Sequence, residues 1–307
     1  MQWFLLRRLW QSLVVIVGIT VIVFLMVHLS GDPVRLMVPA DATQADIDLL
    51  RAQLGYNDPL YVQYVRFAGG LVHGDFGTSL RFQAPALPLL LERLPATAQL
   101  AAAALALSLA IAIPAGVLAA VYKDTPLDLL AMLAALIGQS IPGFWLGLML
   151  ILFFAVQLGW LPTSGRDGLD TLILPAVTLA MFYTGRMARL VRSSMLDVLY
   201  EDYVRTARAK GLPEWLVIAR HALKNASLPV VTIIGLEFGA LLSGAVITET
   251  VFSWPGVGLL AVNAVLARDF PLVQAIVVFM AIVFVLVNLL VDLLYLKLDP
   301  RIRYAPG

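Results

Sequence analysis

Residues 97–121 read Thr-Ala-Gln-Leu-Ala-Ala-Ala-Ala-Leu-Ala-Leu-Ser-Leu-Ala-Ile-Ala-Ile-Pro-Ala-Gly-Val-Leu-Ala-Ala-Val, without one charged side chain. A helix that crosses about 30 Å of hydrocarbon at about 1.5 Å per residue needs roughly 20 apolar residues. The run is continuous and does not alternate, which selects a helix over a barrel strand. Working outward, five more runs qualify: Leu9–Leu29, Leu127–Gln157, Thr171–Val191, Leu228–Val251 and Pro271–Leu296. The third is long and carries Pro142-Gly143, so a kink is expected there. The first is too long for the core of a signal peptide, and no small-residue cleavage site precedes Ser30-Gly31-Asp32-Pro33, so it is read as a retained span.

The whole chain agrees with this reading. Of 307 residues 61% are hydrophobic and 13% charged, and the mean hydropathy is +0.89, whereas soluble domains are about 25% charged. The net charge of +1 excludes a basic nucleic-acid binder. The absence of cysteine excludes disulfides, thiolate metal sites and cysteine nucleophiles. His28, His73 and His221 form no ligand pair at metal spacing.

Basic residues set the orientation. Arg7 and Arg8, Lys123, Arg186, Arg189, Arg192, Arg205, Arg208, Lys210, Arg220, Lys224, Lys297, Arg301 and Arg303 fall on one side, against Arg166 and Arg268 in the short loops of the other. Both termini are therefore expected in the cytoplasm. Three parts follow: residues 1–29 as N-terminus and first span, an external loop 30–96, and a core 97–307 containing a cytoplasmic loop 192–227. Thr43 with Asp46 three residues on, and Asp58-Pro59, mark the starts of two short external helices, which form either a packed lid or a docking surface. The cytoplasmic loop reads as two short helices joined by a turn at Gly211-Leu212-Pro213, with Leu196, Leu199, Tyr203 and Ala207 on one face. Isolated helices this short are marginal, so they must dock on something. No internal repeat suggests an inverted-repeat transporter.

No P-loop, His-Glu-x-x-His or Gly-x-Ser-x-Gly pattern is present, so neither nucleotide binding nor hydrolysis is expected in this chain. The polarity that remains is inside the membrane. Glu237 lies near the middle of the fifth span, where it is either a helix–helix hydrogen bond or a wall of a substrate pathway. It is read as having no embedded basic partner. Gly235, Gly239 and Ser243 form a small-residue stripe on another face, suited to close helix packing. Asp292, near the inner end of the sixth span, is expected to snorkel or to pair with a basic residue, and Glu249 to sit at the outer interface. Trp254 reads as an interfacial anchor, and Leu259–Arg268 as a short piece at the outer mouth.

Several ordered stretches resemble permeases of ABC importers, in the dipeptide/oligopeptide/nickel branch. They are Arg7-Arg8-Leu9, Gly31-Asp32-Pro33-Val34, Ile141-Pro142-Gly143-Phe144-Trp145-Leu146-Gly147, Leu161-Pro162-Thr163-Ser164-Gly165, Asp202–Gly211, His221–Ala226 with Leu228-Pro229, Glu249–Gly256, and Asp299-Pro300-Arg301-Ile302-Arg303. The amino-terminal motifs resemble the first permease of a pair. Of the family's Glu-Ala-Ala-x-x-x-Gly loop, at Arg205, Thr206, Ala207 and Gly211, only the last Ala and the Gly are kept. The resemblance implies an all-α polytopic membrane protein with six transmembrane helices and a type I importer fold, in a bacterial inner membrane. It implies a pore-forming subunit that imports short peptides, or glutathione or a nickel chelate, together with a second homologous permease, two ATPase subunits that bind ATP and Mg²⁺, an external solute-binding protein and membrane lipid. A stand-alone secondary transporter is the rival of a different class. Tyr203, Arg205, Ala207, Arg208, Lys210, Gly211, Leu212 and Pro213 would couple to the ATPase. Glu237, Ser140 and Phe144 would line the pathway, and Trp254, Pro255 and Gly256 would form the outer gate.

Overall fold

Backbone polar groups in lipid must pair within their own segment, and the long apolar runs do so as helices. The computed structural model describes residues 2–29, 34, 43–53 and 55–298. The motifs at Gly31–Pro33 and Asp299–Arg303 lie outside them. Within the described residues five helices are long and apolar enough to span: Leu6–Leu29, Ala86–Val121, Asp170–Leu199, Glu214–Leu242 and Phe270–Leu293, and a bent pair makes a sixth.

In chain order, α1 is Gln2–Leu29, α2 Gln44–Gln53, α3 Leu60–Val72, α4 Ala86–Val121, α5 Pro126–Ser140 and α6 Gly143–Leu150, prolonged by a π-wound stretch Ile151–Gln157. Then follow α7 Asp170–Leu199, α8 Asp202–Ala209, α9 Glu214–Leu216, a second π-wound stretch Val217–Ala222, α10 Leu223–Gly244, α11 Val246–Val251, α12 Val257–Leu266 and α13 Phe270–Leu298.

The expected kink in the third span is larger than a kink: α5 and the α6 segment are bent by 98°. The cause is local. A residue before proline is pushed out of the helical region, and Ile141 (φ −75°, ψ 125°) and Pro142 (φ −60°, ψ 129°) are both extended. The second span also starts earlier than its hydropathy indicates, at Ala86, and runs through Pro95 and Pro114. The loss of ladder bonds at each proline is offset by packing: Ala86 and Leu90 are fully buried against Val257, Leu260 and Leu272.

At the centre of the bundle α7 is surrounded by α4, α5, α6 and α10. Small residues allow that closeness. A Cβ on Gly116 of α4 would lie 2.6 Å from the Ala188 carbonyl oxygen of α7, and one on Gly185 of α7 would overlap the Ala135 carbonyl of α5. The stripe expected on the fifth span does the same work: Gly235 and Gly239 of α10 face Val291 and Phe284 of α13. The Ser243 side chain lies outside the described residues.

Of the two helices expected in the 30–96 loop, the first starts as expected. Thr43 donates to Asp46 through its backbone N–H (3.0 Å) and hydroxyl (2.6 Å), and receives the Asp46 N–H on Oγ1 at 3.3 Å. These bonds hold the Asp46 carboxyl below its ordinary range. At the second, Pro59 (φ −55°, ψ 145°) is itself the cap rather than the first helical residue, no side chain caps the helix, and Asp58 instead pairs with Arg66 at 2.7 Å. α3 lies on α1, with Thr20 Oγ1 3.0 Å from Tyr64 Oη and His28 Nε2 2.9 Å from Gln63 Oε1. The end of the 30–96 loop is tied to the start of α13. Asp269, 1% exposed, accepts from Ser79 Oγ (2.5 Å) and from the N–H groups of Leu80 and Arg81 (3.1 Å each). Asp292 pairs with a basic residue as expected, at 3.2 Å from Arg8.

Candidate coupling and translocation sites

The loop at residues 192–227 is smaller and better anchored than its sequence indicates. α7 runs on to Leu199, and a break at Tyr200-Glu201 precedes the short helix α8. Gly211 (φ +76°) takes the left-handed conformation that favours glycine and turns the chain. The second helix does not stop within the loop but leads through the π-wound stretch into α10. α8 is therefore a rigid elbow between two spans.

A private core holds the elbow: Val204 and Val217 are fully buried and Ala207 is 5% exposed, with Val198 and Leu212 packed around them. Across the Gly211 turn, Arg208 Nη2 lies 2.8 Å from Glu214 Oε1. Among the residues expected to couple, Ala207 is thus turned into the chain's own core, and Arg208 is tied to Glu214. Tyr203, Arg205, Lys210, Gly211 and Pro213 face outward, and Leu212 is half-buried. Tyr200 and Trp215, not singled out in the sequence, are 69% and 68% exposed beside them. Large exposed aromatic rings near basic side chains mark a contact surface.

At the other end of α7, three of the quoted stretches converge. Trp254 is fully buried, and its indole Nε1–H donates to the Ala96 carbonyl at 2.8 Å. It is not an interfacial anchor, because its polar edge is satisfied inside the protein. The Arg166 guanidinium lies 5.9 Å from the Trp254 ring centroid and donates to Gln99 Oε1 at 2.9 Å. Gly165 N–H donates to the Phe252 carbonyl at 3.3 Å.

Glu249 is likewise fully buried rather than interfacial. Its carboxylate accepts from Thr97 Oγ1 at 2.7 Å and from the Leu259 N–H at 3.0 Å, in the first turn of α12. A helix N-terminus suits a carboxylate, since its free N–H groups point at the charge. Gly256 and Gly258 are glycines for a packing reason: a Cβ on either would meet the Glu249 side chain. The sequence signal was the spacing from Glu249 to Gly256 and Gly258, which needs the fold to be read.

The candidates for the pathway separate into two groups. Ser140 and Phe144 line an open groove at the α5–α6 bend with Leu136, Ile137, Pro142 and Trp145. Ser140 Oγ donates to the Leu136 carbonyl at 2.9 Å. Glu237 does not line that groove. It has an embedded basic partner, contrary to expectation: Arg186 Nη1 of α7 lies 2.7 Å from Glu237 Oε1 of α10. Arg186 reads as cytoplasmic from charge alone, yet it sits mid-helix. Arg189 bonds Gln139 of α5, and Arg192 grips Asp128 of α5 through two 2.7 Å bonds.

Residues 112–304 match the family described as binding-protein-dependent transport system inner membrane component, and residues 1–101 match its N-terminal companion. The chain belongs to this permease family. Its relatives include a probable D,D-dipeptide transport system permease protein, DdpB, of Escherichia coli K12, at 45% identity over 99% of both chains. The glutathione transport system permease protein GsiC of the same strain is 43% identical over 98% of this permease and 99% of its own length. Among solved structures, an inward-facing form of the MetNI methionine ABC transporter matches with TM-score 0.60 at 17% identity, covering 69% of this permease and 96% of that chain. An amino acid ABC transporter matches with TM-score 0.55 at 17% identity, covering 68% and 94%. The fold is that of a type I importer permease, and the family forms the pore of ABC importers, whose ATP hydrolysis is done on separate subunits.

Proposed function

We propose that this permease imports short peptides across a bacterial inner membrane, as one of two homologous permeases served by two ATPase subunits and an external solute-binding protein. ATP and Mg²⁺ belong to the ATPases. The observation that carries the reading is the elbow α8. Its own hydrophobic core fixes it, while Tyr203, Arg205 and Lys210 point outward with Tyr200 and Trp215. A helix braced against two spans transmits a push on that surface to α7 and α10. The peptide assignment is supported by the similarity to DdpB and GsiC, and glutathione is itself a tripeptide.

The same reading places both termini in the cytoplasm and residues 192–227 against the ATPase. Trp254, Pro255 and Gly256 then belong to the outer gate, braced by Glu249 and Ala96. On the outside, Tyr61 and Val65 of α3, one turn apart, are exposed and offer a docking face to the binding protein.

The chain has no native cysteine, so single cysteines report cleanly. A cysteine at Arg205 should react from the cytoplasmic side only and cross-link to the ATPase subunit. A cysteine at Tyr61 should react from the outside only. Labelling of both from the same side would refute the topology, and absence of an ATPase cross-link at 205 would refute the coupling surface.

A further inference from the structure

Arg186, Arg189 and Arg192 recur every three residues on α7, so they are neighbours along the helix. Their partners differ in kind. Arg192 is held by both oxygens of Asp128, and its side chain is 25% exposed. Arg186 approaches Glu237 most closely through Nη1, at 2.7 Å from Oε1, and its side chain is 55% exposed while that of Glu237 is 5%. Arg189 meets only the neutral Gln139 amide oxygen and has no carboxylate within 4.0 Å among the described residues.

A guanidinium has five N–H donors, so Arg186 keeps free donors after bonding Glu237. A half-open guanidinium on a spanning helix cannot face lipid without a cost of about 2.5 kcal/mol or more. Its open side therefore meets water, either at the headgroup region or in a passage between the spans. Glu237, buried and already paired, offers no anion to that passage. Two guanidinium groups and one carboxylate leave the upper pair of arginines with a surplus positive charge. Phe182, 43% exposed and one turn before Arg186, adds an apolar ring on the approach.

Resting on the peptide reading, we infer that Arg186 and Arg189 bind the free carboxylate of the solute as it crosses. Guanidinium–carboxylate pairing is strong and directional. The second arginine lies one turn further along α7 and receives the anion that the first releases. The passage therefore selects solutes that carry a terminal carboxylate, independently of the binding protein's own preference.

The test is uptake of trialanine and of its C-terminal amide by cells in which R186Q replaces the native chain, with binding protein and ATPases unchanged. Membrane levels and ATPase stimulation by the binding protein serve as controls. Trialanine uptake should fall about tenfold or more, as befits a lost charged hydrogen bond, while uptake of the amide should change less than about twofold. R186K should recover part of the loss. R189Q, whose native partner is uncharged, should shift selectivity in the same direction if R186Q fails to accumulate. Parallel loss of both solutes in every variant that accumulates, or no loss of trialanine, would overturn the inference and leave peptide import standing. If the native system takes up neither peptide, the peptide reading itself fails, and the inference with it.

Discussion

Thr97 and Glu249, 152 residues apart, are joined by a 2.7 Å hydrogen bond at the start of the densest part of α4. Thr97 also accepts the Val257 N–H at 2.9 Å, so one hydroxyl links α4, α11 and α12. The buried carboxylate, the indole of Trp254 and the first turn of α12 form one rigid block.

Removal of that carboxylate should loosen the block. E249A leaves the Thr97 hydroxyl hydrogen and the Leu259 N–H without their acceptor at a buried position, which should cost about 3 kcal/mol. E249Q keeps one acceptor oxygen but sets an NH₂ group against a backbone N–H, and should cost about 1–2 kcal/mol. Thermal unfolding of the purified complex measures both, and an E249A protein as stable as the native one would contradict the assignment.

Asp128 and Arg192 are bound through two short bonds between α5 and α7. A double-mutant cycle with D128N and R192Q should return a coupling energy of about 2 kcal/mol. Independent, additive effects would show that the pair does not hold the bent helix in place.

Much of this architecture is legible in the sequence. The apolar runs place the spans, Thr43 and Asp46 the start of α2, and Gly211-Leu212-Pro213 the turn. Hydropathy fails where tertiary packing overrides it: α4 begins at Ala86 because Leu90 is buried, despite Glu92, Arg93 and Pro95. The 98° bend follows from two consecutive extended residues, which Pro142 alone does not dictate. Among the site residues, Tyr203, Arg205 and Lys210 are legible from their position on a short helix. Arg186 is not, because its partner Glu237 lies 51 positions away and charge counting assigns it to the cytoplasm. Glu249 and Trp254 read as interfacial because each is polar near a helix end. Only the fold shows that Thr97, Ala96 and α12 satisfy them.

Gly185 is glycine because the Ala135 backbone leaves no room. G185V pushes against a carbonyl that cannot swing aside, and should destabilise the protein by about 2–3 kcal/mol. Gly18 in α1 has nothing within 4 Å of a Cβ, so G18A should be neutral or up to about 1 kcal/mol stabilising. Equal effects of the two substitutions would contradict the packing described between α5 and α7.

Gly211 has open space around it but a left-handed backbone. G211A should cost about 1–2 kcal/mol locally, and G211N less, since Asn tolerates that conformation. G211V should reach the membrane at near-native level and keep ATPase activity, yet lose most uptake. Normal uptake by G211V at normal abundance would count against α8 as the coupling element.

The most direct test of the central claim is uptake by sealed vesicles holding the purified complex, with ATP on the α8 side and the binding protein on the other. Trialanine should accumulate only when ATP, the ATPase subunits and the binding protein are all present, and G211V should abolish accumulation while ATP hydrolysis continues. Accumulation by the permease without ATPase subunits, driven by an ion gradient, would contradict the account.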